Sequence, residues 1–107
     1  MLLDVIAIKL EDALPDNTEV ERRGLFGRGR HRVHVVHVSL GDQRFTLTRE
    51  RHGVAASITH VVRGIALSTE NVELDQWLTS LSGALAEIAS SQSRAREALE
   101  RILLGPR

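Results

Sequence analysis

Leu74-Asp-Gln-Trp-Leu-Thr-Ser-Leu-Ser-Gly-Ala-Leu-Ala-Glu-Ile-Ala89, continued by Ser90-Ser-Gln-Ser-Arg-Ala-Arg-Glu-Ala-Leu-Glu-Arg-Ile-Leu-Leu104, is the stretch around which the chain is organised. Leu74, Trp77, Leu78, Leu81, Ala84, Leu85, Ile88 and Ala89 recur at spacings of three and four, which keeps one side of a helix apolar for four turns. The line continues through Ala95, Ala98, Leu99, Ile102 and Leu103 and then meets Gly105-Pro106, a stop signal. The polar patch Ser90-Ser91-Gln92-Ser93 interrupts it. Either one helix of about eight turns runs through the patch or two helices meet there. The upstream segments are expected to cover this stripe.

The chain has 107 residues, which predicts one domain with a modest core, about 65% of the unfolded surface being hidden at this size. Apolar residues make up 42% and charged ones 26%, a globular rather than disordered composition. Phe26, Phe45 and Trp77 are the aromatics, so the core must be mainly aliphatic. The absence of cysteine excludes disulfides and thiolate metal sites. Asp4 and Lys9 break the apolar N-terminus, no small-residue cleavage site follows, and no run approaches the ~18 apolar residues of a membrane span. A cytoplasmic location is the expectation.

Net charge is zero but unevenly placed. Residues 1–21 hold one Lys and six acids, a net −5. Residues 22–63 hold nine Arg and two acids, a net +7, together with all five histidines. Residues 64–107 carry four Arg and six acids, a net −2. An acidic head therefore precedes a basic middle and a mildly acidic helix.

Upstream, residues 2–14 admit two readings. As a helix, Leu3, Ile6, Ala7, Leu10 and Leu14 share a face and Pro15 ends it, leaving Val5 and Ile8 off the face. As a strand, Ile6, Ile8 and Leu10 alternate. Length and the Leu10-Glu-Asp-Ala-Leu-Pro15 ending favour the helix. Asp16-Asn17 reads as a turn, Thr18 to Arg23 as a short polar strand, and Gly24 to Arg30, with three glycines, as a loop. Arg32 to Leu40 is the strongest strand. Strict alternation splits Val33 and Val35 from Val36, Val38 and Leu40. A bulge at Val35-Val36 would turn all five inward and His34, His37 and Ser39 outward. Otherwise the strand is covered on both faces.

Gly41-Asp42 suits a type II′ hairpin turn. The return strand Gln43 to Arg49 sends Phe45 and Leu47 inward. After a turn through His52-Gly53, residues Val54, Ala56, Ile58, His60 and Val62 alternate on one face. Arg63-Gly64 interrupts the pattern, with room for a second bulge, before Ile65-Ala66-Leu67, and Ser68 to Asn71 leads to the helix. The expected fold is α+β: an N-terminal helix, a three- to four-stranded antiparallel meander, and a long C-terminal helix packed on one sheet face.

Val61-Val-Arg-Gly-Ile-Ala-Leu67 followed by Leu74-Asp-Gln-Trp-Leu78 resembles small uncharacterised proteins of actinobacteria. The resemblance spans the last half of the chain and implies no activity, cofactor or partner.

Constellations that could carry chemistry weigh against an enzyme. His31, His34 and His37 have a spacing that would gather them on a helix, where zinc would suit. On a strand, odd spacing puts neighbours on opposite faces, and His31 and His37 lie about 20 Å apart. Exposed strand histidines are the simpler account. His60 on the inward face could be a general base or a half-buried histidine bonded to a carbonyl, and no nucleophile with a third orienting group can be placed beside it. Gly24-x-x-Gly27-x-Gly29 lacks the Lys-Ser/Thr ending and following helix of a phosphate loop. Trp77 reads as a core anchor. No cofactor or metal is implied.

Two functional classes remain. The preferred one is a small non-catalytic protein–protein interaction module, acting as adaptor, chaperone-like or regulatory subunit in a homodimer. Its candidate interface is the stripe Thr79, Gly83, Ala86 and Ser90, small residues away from the Trp77–Ile88 line. Residues 76–86 carry no charge, and Gly83 costs ~1 kcal/mol against Ala inside a helix, which a close partner backbone would offset. The alternative is a nucleic-acid binder using the Arg/His-rich sheet face and the Gly24–Arg30 loop, with Arg28, Arg30 and Arg32 as contacts. Stacking aromatics for it are nearly absent.

Overall fold

The structure is a computed structural model that describes residues 2–23 and 32–105. Helix α1 spans Leu2–Ala13. Strands β1 (Thr18–Arg23), β2 (Arg32–Leu40), β3 (Gln43–Glu50), β4 (Gly53–Val62) and β5 (Ile65–Val72) follow, and helix α2 spans Leu74–Leu104. The strands form one antiparallel sheet in sequential order.

The N-terminal segment is the helix that its apolar spacing favoured. Leu3 and Ala7 are buried, Ile6, Leu10 and Leu14 pack beside them, and the off-face Val5 and Ile8 stay 49% and 61% exposed. Pro15 allows the helix no further. The turn after it is tied to the sheet, since the Asn17 side chain donates to the Ser39 carbonyl and the Ser39 amide to the Asn17 carbonyl, each at 2.9 Å.

The sheet has five strands, not the three or four expected. Ile65 does not prolong the preceding strand past a bulge, because Arg63 and Gly64 make a two-residue turn that reverses the chain, Val62 pairing with Ile65. Both turn residues have positive φ, 51° and 81°, as a type I′ turn requires. β5 then runs to Val72 through Ser68-Thr-Glu-Asn71. It lies at the sheet edge, exposed up to Asn71, so burial imposed no apolar alternation that a sequence reading could detect. The Gly41-Asp42 turn has positive φ at Gly41 alone, as type II′ demands.

The puzzle in β2 resolves one step earlier than expected. Val35, Val36 and the residues after them pair regularly with β3. Against β1 the register jumps between Glu21–Val35 and Arg22–Val33, leaving His34 as the extra residue. Val33, Val36, Val38 and Leu40 are therefore buried, while Val35 stays on the opposite face, half-buried. A second bulge does occur near the Arg63-Gly64 turn. It sits on β5, where Leu67 is skipped between the pairs His60–Ser68 and Val61–Ala66.

Both helices cover the same sheet face. Leu3 and Ala7 of α1, Val36, Phe45, Leu47 and Ala56 of the sheet, and Trp77 and Leu81 of α2 form a single core. Trp77 is fully buried, edge-on to Phe45 with ring centroids 6.0 Å apart, and its indole Nε1 donates to the Ser57 carbonyl at 3.2 Å. α2 is one unbroken helix through the Ser90–Ser93 patch. Trp77→Ala should cost about 3–5 kcal/mol, the usual range for an emptied aromatic site. Trp77→Phe should cost about 1–2 kcal/mol, chiefly the lost indole bond. Denaturant unfolding measures both, and equal losses would contradict the anchoring role of the indole.

Candidate functional site

Charge pairing decides how much of the basic middle is free to act. Glu11 on α1 holds Arg22 of β1 at 2.7 Å. Asp4, in the first turn of α1, takes the Arg49 guanidinium at 2.9 Å on one oxygen and the Val33 amide at 3.1 Å on the other. Arg49 also donates from Nε to the Val33 carbonyl at 2.8 Å, so one carboxylate and one guanidinium clamp α1 to β2 and β3. The Val33 amide first, and the guanidinium with it, hold the Asp4 carboxyl well below the usual carboxylate range. The acidic head thus neutralises part of the basic middle.

Of the proposed nucleic-acid contacts, Arg32 is exposed at the start of β2. Arg28, Arg30 and the rest of the Gly24–Arg30 loop, together with His31, lie outside the described residues. The described aromatics, Phe45 and Trp77, are both buried and present no ring to a base.

The histidines separate. His34 occupies the β2 bulge and is half-buried. His60 lies on the helix side but near the strand end, exposed, with Nε2 4.0 Å from an Asp42 carboxylate oxygen, so the reading as a half-buried histidine bonded to a carbonyl does not hold. His37 stands on the face away from the helices, Nδ1 3.0 Å from the Thr46 hydroxyl and Nε2 3.4 Å from a Glu21 carboxylate oxygen. Hydroxyl, imidazole and carboxylate in that order are the parts of an activated nucleophile. Here they lie on a sheet face that neither helix covers, and sequence spacing could not reveal a grouping made by strand register. Among the described residues no three or more His, Asp or Glu side chains gather as a metal site.

The face carrying His37 is otherwise small and uncharged at its centre: Val35, Thr46, Thr48, Ala55, Ser57 and Thr59. Thr59 is nearly buried there and shares a 3.0 Å hydroxyl bond with Thr69 of β5.

The candidate interface stripe, Thr79, Gly83, Ala86 and Ser90, is exposed along its whole length. The Thr79 hydroxyl donates to the Asp75 carbonyl of its own helix, and a Cβ at Gly83 would meet open space. Nothing among the described residues accounts for that glycine. The larger uncovered surface is elsewhere on α2. Its apolar line packs on the sheet as far as Ile88, and every residue from Ala89 to Leu104 is exposed. The expectation that the upstream segments cover the whole stripe therefore fails. At ~1.5 Å per residue, 31 residues make a rod of about 46 Å, whereas the eight-residue β3 reaches about 27 Å. The molecule is correspondingly long, 64 × 30 × 25 Å. Leu99, Ile102 and Leu103 remain 57%, 76% and 79% exposed. No described helix is long and apolar enough to cross a membrane.

Comparison with protein-family models, with curated proteins and with solved structures finds no match.

The Asp4 clamp gives a pH signature. A carboxyl held below its unfolded value stabilises the fold above about pH 4, and that stabilisation fades as pH falls further. Asp4 is partly exposed, so Asp4→Asn should cost about 1–2 kcal/mol at pH 7, with solvent screening taken into account. Urea unfolding at pH 7 and pH 3 should find the gap between variant and parent narrowing in acid; a gap that widens would contradict the clamp.

Proposed function

We propose that the chain is a small non-catalytic protein–protein interaction module, an adaptor, chaperone-like or regulatory subunit, that works as a homodimer in the cytoplasm. The observation that carries this reading is the apolar line of α2, which continues beyond the sheet that covers its first half. A water-facing helix end would ordinarily lose its large apolar residues, since exposing them offers nothing to the folded monomer. An interaction role also fits the uncharged centre of the free sheet face.

The second reading, nucleic-acid binding through the Arg/His face and the Gly24–Arg30 loop, draws support from Arg32 and Arg44, both exposed. Against it, Arg22 and Arg49 are paired with carboxylates of α1, and the described aromatics are buried. Any binding should then be electrostatic, falling with a log–log salt slope of about −0.9 per phosphate contacted.

Two measurements test this. Light scattering at micromolar concentration should give twice the chain mass; a monomer would sink the homodimer. Fluorescence anisotropy with duplex and single strands at 150 mM salt should find no submicromolar binding. Tight binding that Arg28→Ala with Arg30→Ala abolishes would install the second reading instead.

A further inference from the structure

Resting on the homodimer reading, we infer that the two copies join through the projecting ends of α2, residues 91–104, packed antiparallel about a two-fold axis near Ala98. The Thr79–Ser90 stripe then faces away from the join. α2 carries a seven-residue repeat, Leu74, Leu81, Ile88, Ala95 and Ile102, interleaved by Leu78, Leu85, Gln92 and Leu99. This is the seam of a helix meant to pack along its length on other elements. In its first half the partner is the sheet, through Trp77, Leu81 and Ile88. Past Ile88 the same seam continues with no partner among the described residues, every residue from Ala89 to Leu104 being exposed.

The sheet end adds to this surface. The last β3–β4 pair is Gln43–His60, so Val62 and Ile65 overhang the Gly41-Asp42 turn. α2 passes the same turn, Ala84, Ile88 and Ser91 flanking Leu40 to Gln43. Helix end and hairpin tip therefore leave the fold at one end of the molecule. Alternation from His60 sets Val62 on the helix side. Leu99, Ile102, Leu103, Val62, Ile65 and Leu67 together leave on the order of 600 Å² of apolar side chain uncovered, against about 800 Å² per partner in a standard interface. That approaches the share a standard interface buries per partner and stands at the top of the range for a lone monomer patch.

Charge names the occupant and its direction. The projecting end carries Arg94, Arg96 and Arg101 against Glu97 and Glu100, so it is nearly neutral and selects neither an acidic nor a basic partner. Parallel pairing would set Arg96 beside Arg96 and Glu100 beside Glu100. Antiparallel pairing about Ala98 brings Glu100 of one copy level with Arg96 of the other, twice over. It also brings the small Ala95 to within about 3 Å, along the axis, of the partner copy's large Leu99, which lets the two helices approach.

The chain has no cysteine, so single-cysteine variants report cleanly. With a short bismaleimide, Ala98→Cys should cross-link into dimers. Ser91→Cys should not, because antiparallel pairing sets its two copies about 20 Å apart along the axis. Ala86→Cys, on the stripe, should not either. Leu99→Glu with Ile102→Glu, both exposed in the single chain, should give a monomer with unchanged far-UV circular dichroism. If Ala86→Cys cross-links instead and the double variant stays dimeric, the helix-end join is overturned while the homodimer stands. Cross-linking at both Ala98 and Ser91 would overturn the antiparallel direction. A parent protein that is monomeric by light scattering removes both the join and the reading beneath it.

Discussion

The indole of Trp77, packed edge-on to Phe45 and bonded to the Ser57 carbonyl, determines where α2 meets the sheet and how much of it can do so. It sits in the first turn of a 31-residue rod, over the middle of strands of eight to ten residues. From that anchor the helix runs parallel to β4, reaches the Gly41-Asp42 turn around Ile88, and has no sheet left beneath it. A helix is too stiff to fold back, so the rest of its apolar stripe must meet water or another chain. The functional reading grows from this mismatch of lengths.

Electrostatics places α1 and restrains the basic middle at the same time. Asp4 and Glu11 of α1 are on the helix face that meets the sheet edge, and each takes an arginine from the neighbouring strands. Asp4 also satisfies the Val33 amide. Val33 adjoins the His34 bulge, where the β1–β2 ladder is disrupted, so a side chain answers an amide next to the break. What reads in the sequence as an acidic head beside a basic middle is, in the fold, a set of cross-element pairs. The arginines so engaged are fewer to offer to a phosphate backbone.

How much was legible follows from which residues burial constrained. The buried faces spoke clearly: the α1 face through Leu3 and Ala7, the Phe45/Leu47 alternation, the Gly41-Asp42 turn and the Trp77 line all stood in the sequence. β5 did not, because an exposed edge strand places no apolar demand on Ser68 to Asn71, and Arg63-Gly64 reads as an interruption where the chain in fact reverses. Five apolar residues that all suit one face imply a bulge in β2. Register moved it to His34 and left Val35 outside, since β3 pairs regularly where the bulge had been expected. The projecting helix end was hidden by its own regularity. Ala95, Leu99 and Ile102 continue the stripe so evenly that only the length of the sheet reveals where its cover stops. The His37 grouping is a product of pairing across three strands, which no spacing along the chain encodes.

The central claim is that residues 91–104 are covered only when two chains meet. Amide hydrogen exchange across a dilution series reads this directly, since a helix end held by assembly loses protection as the assembly dissociates. At high concentration the amides of residues 94–104 should be protected. On dilution they should exchange progressively faster, while those near Trp77 and Leu81 stay slow. Fast exchange in residues 94–104 at every concentration would contradict the account.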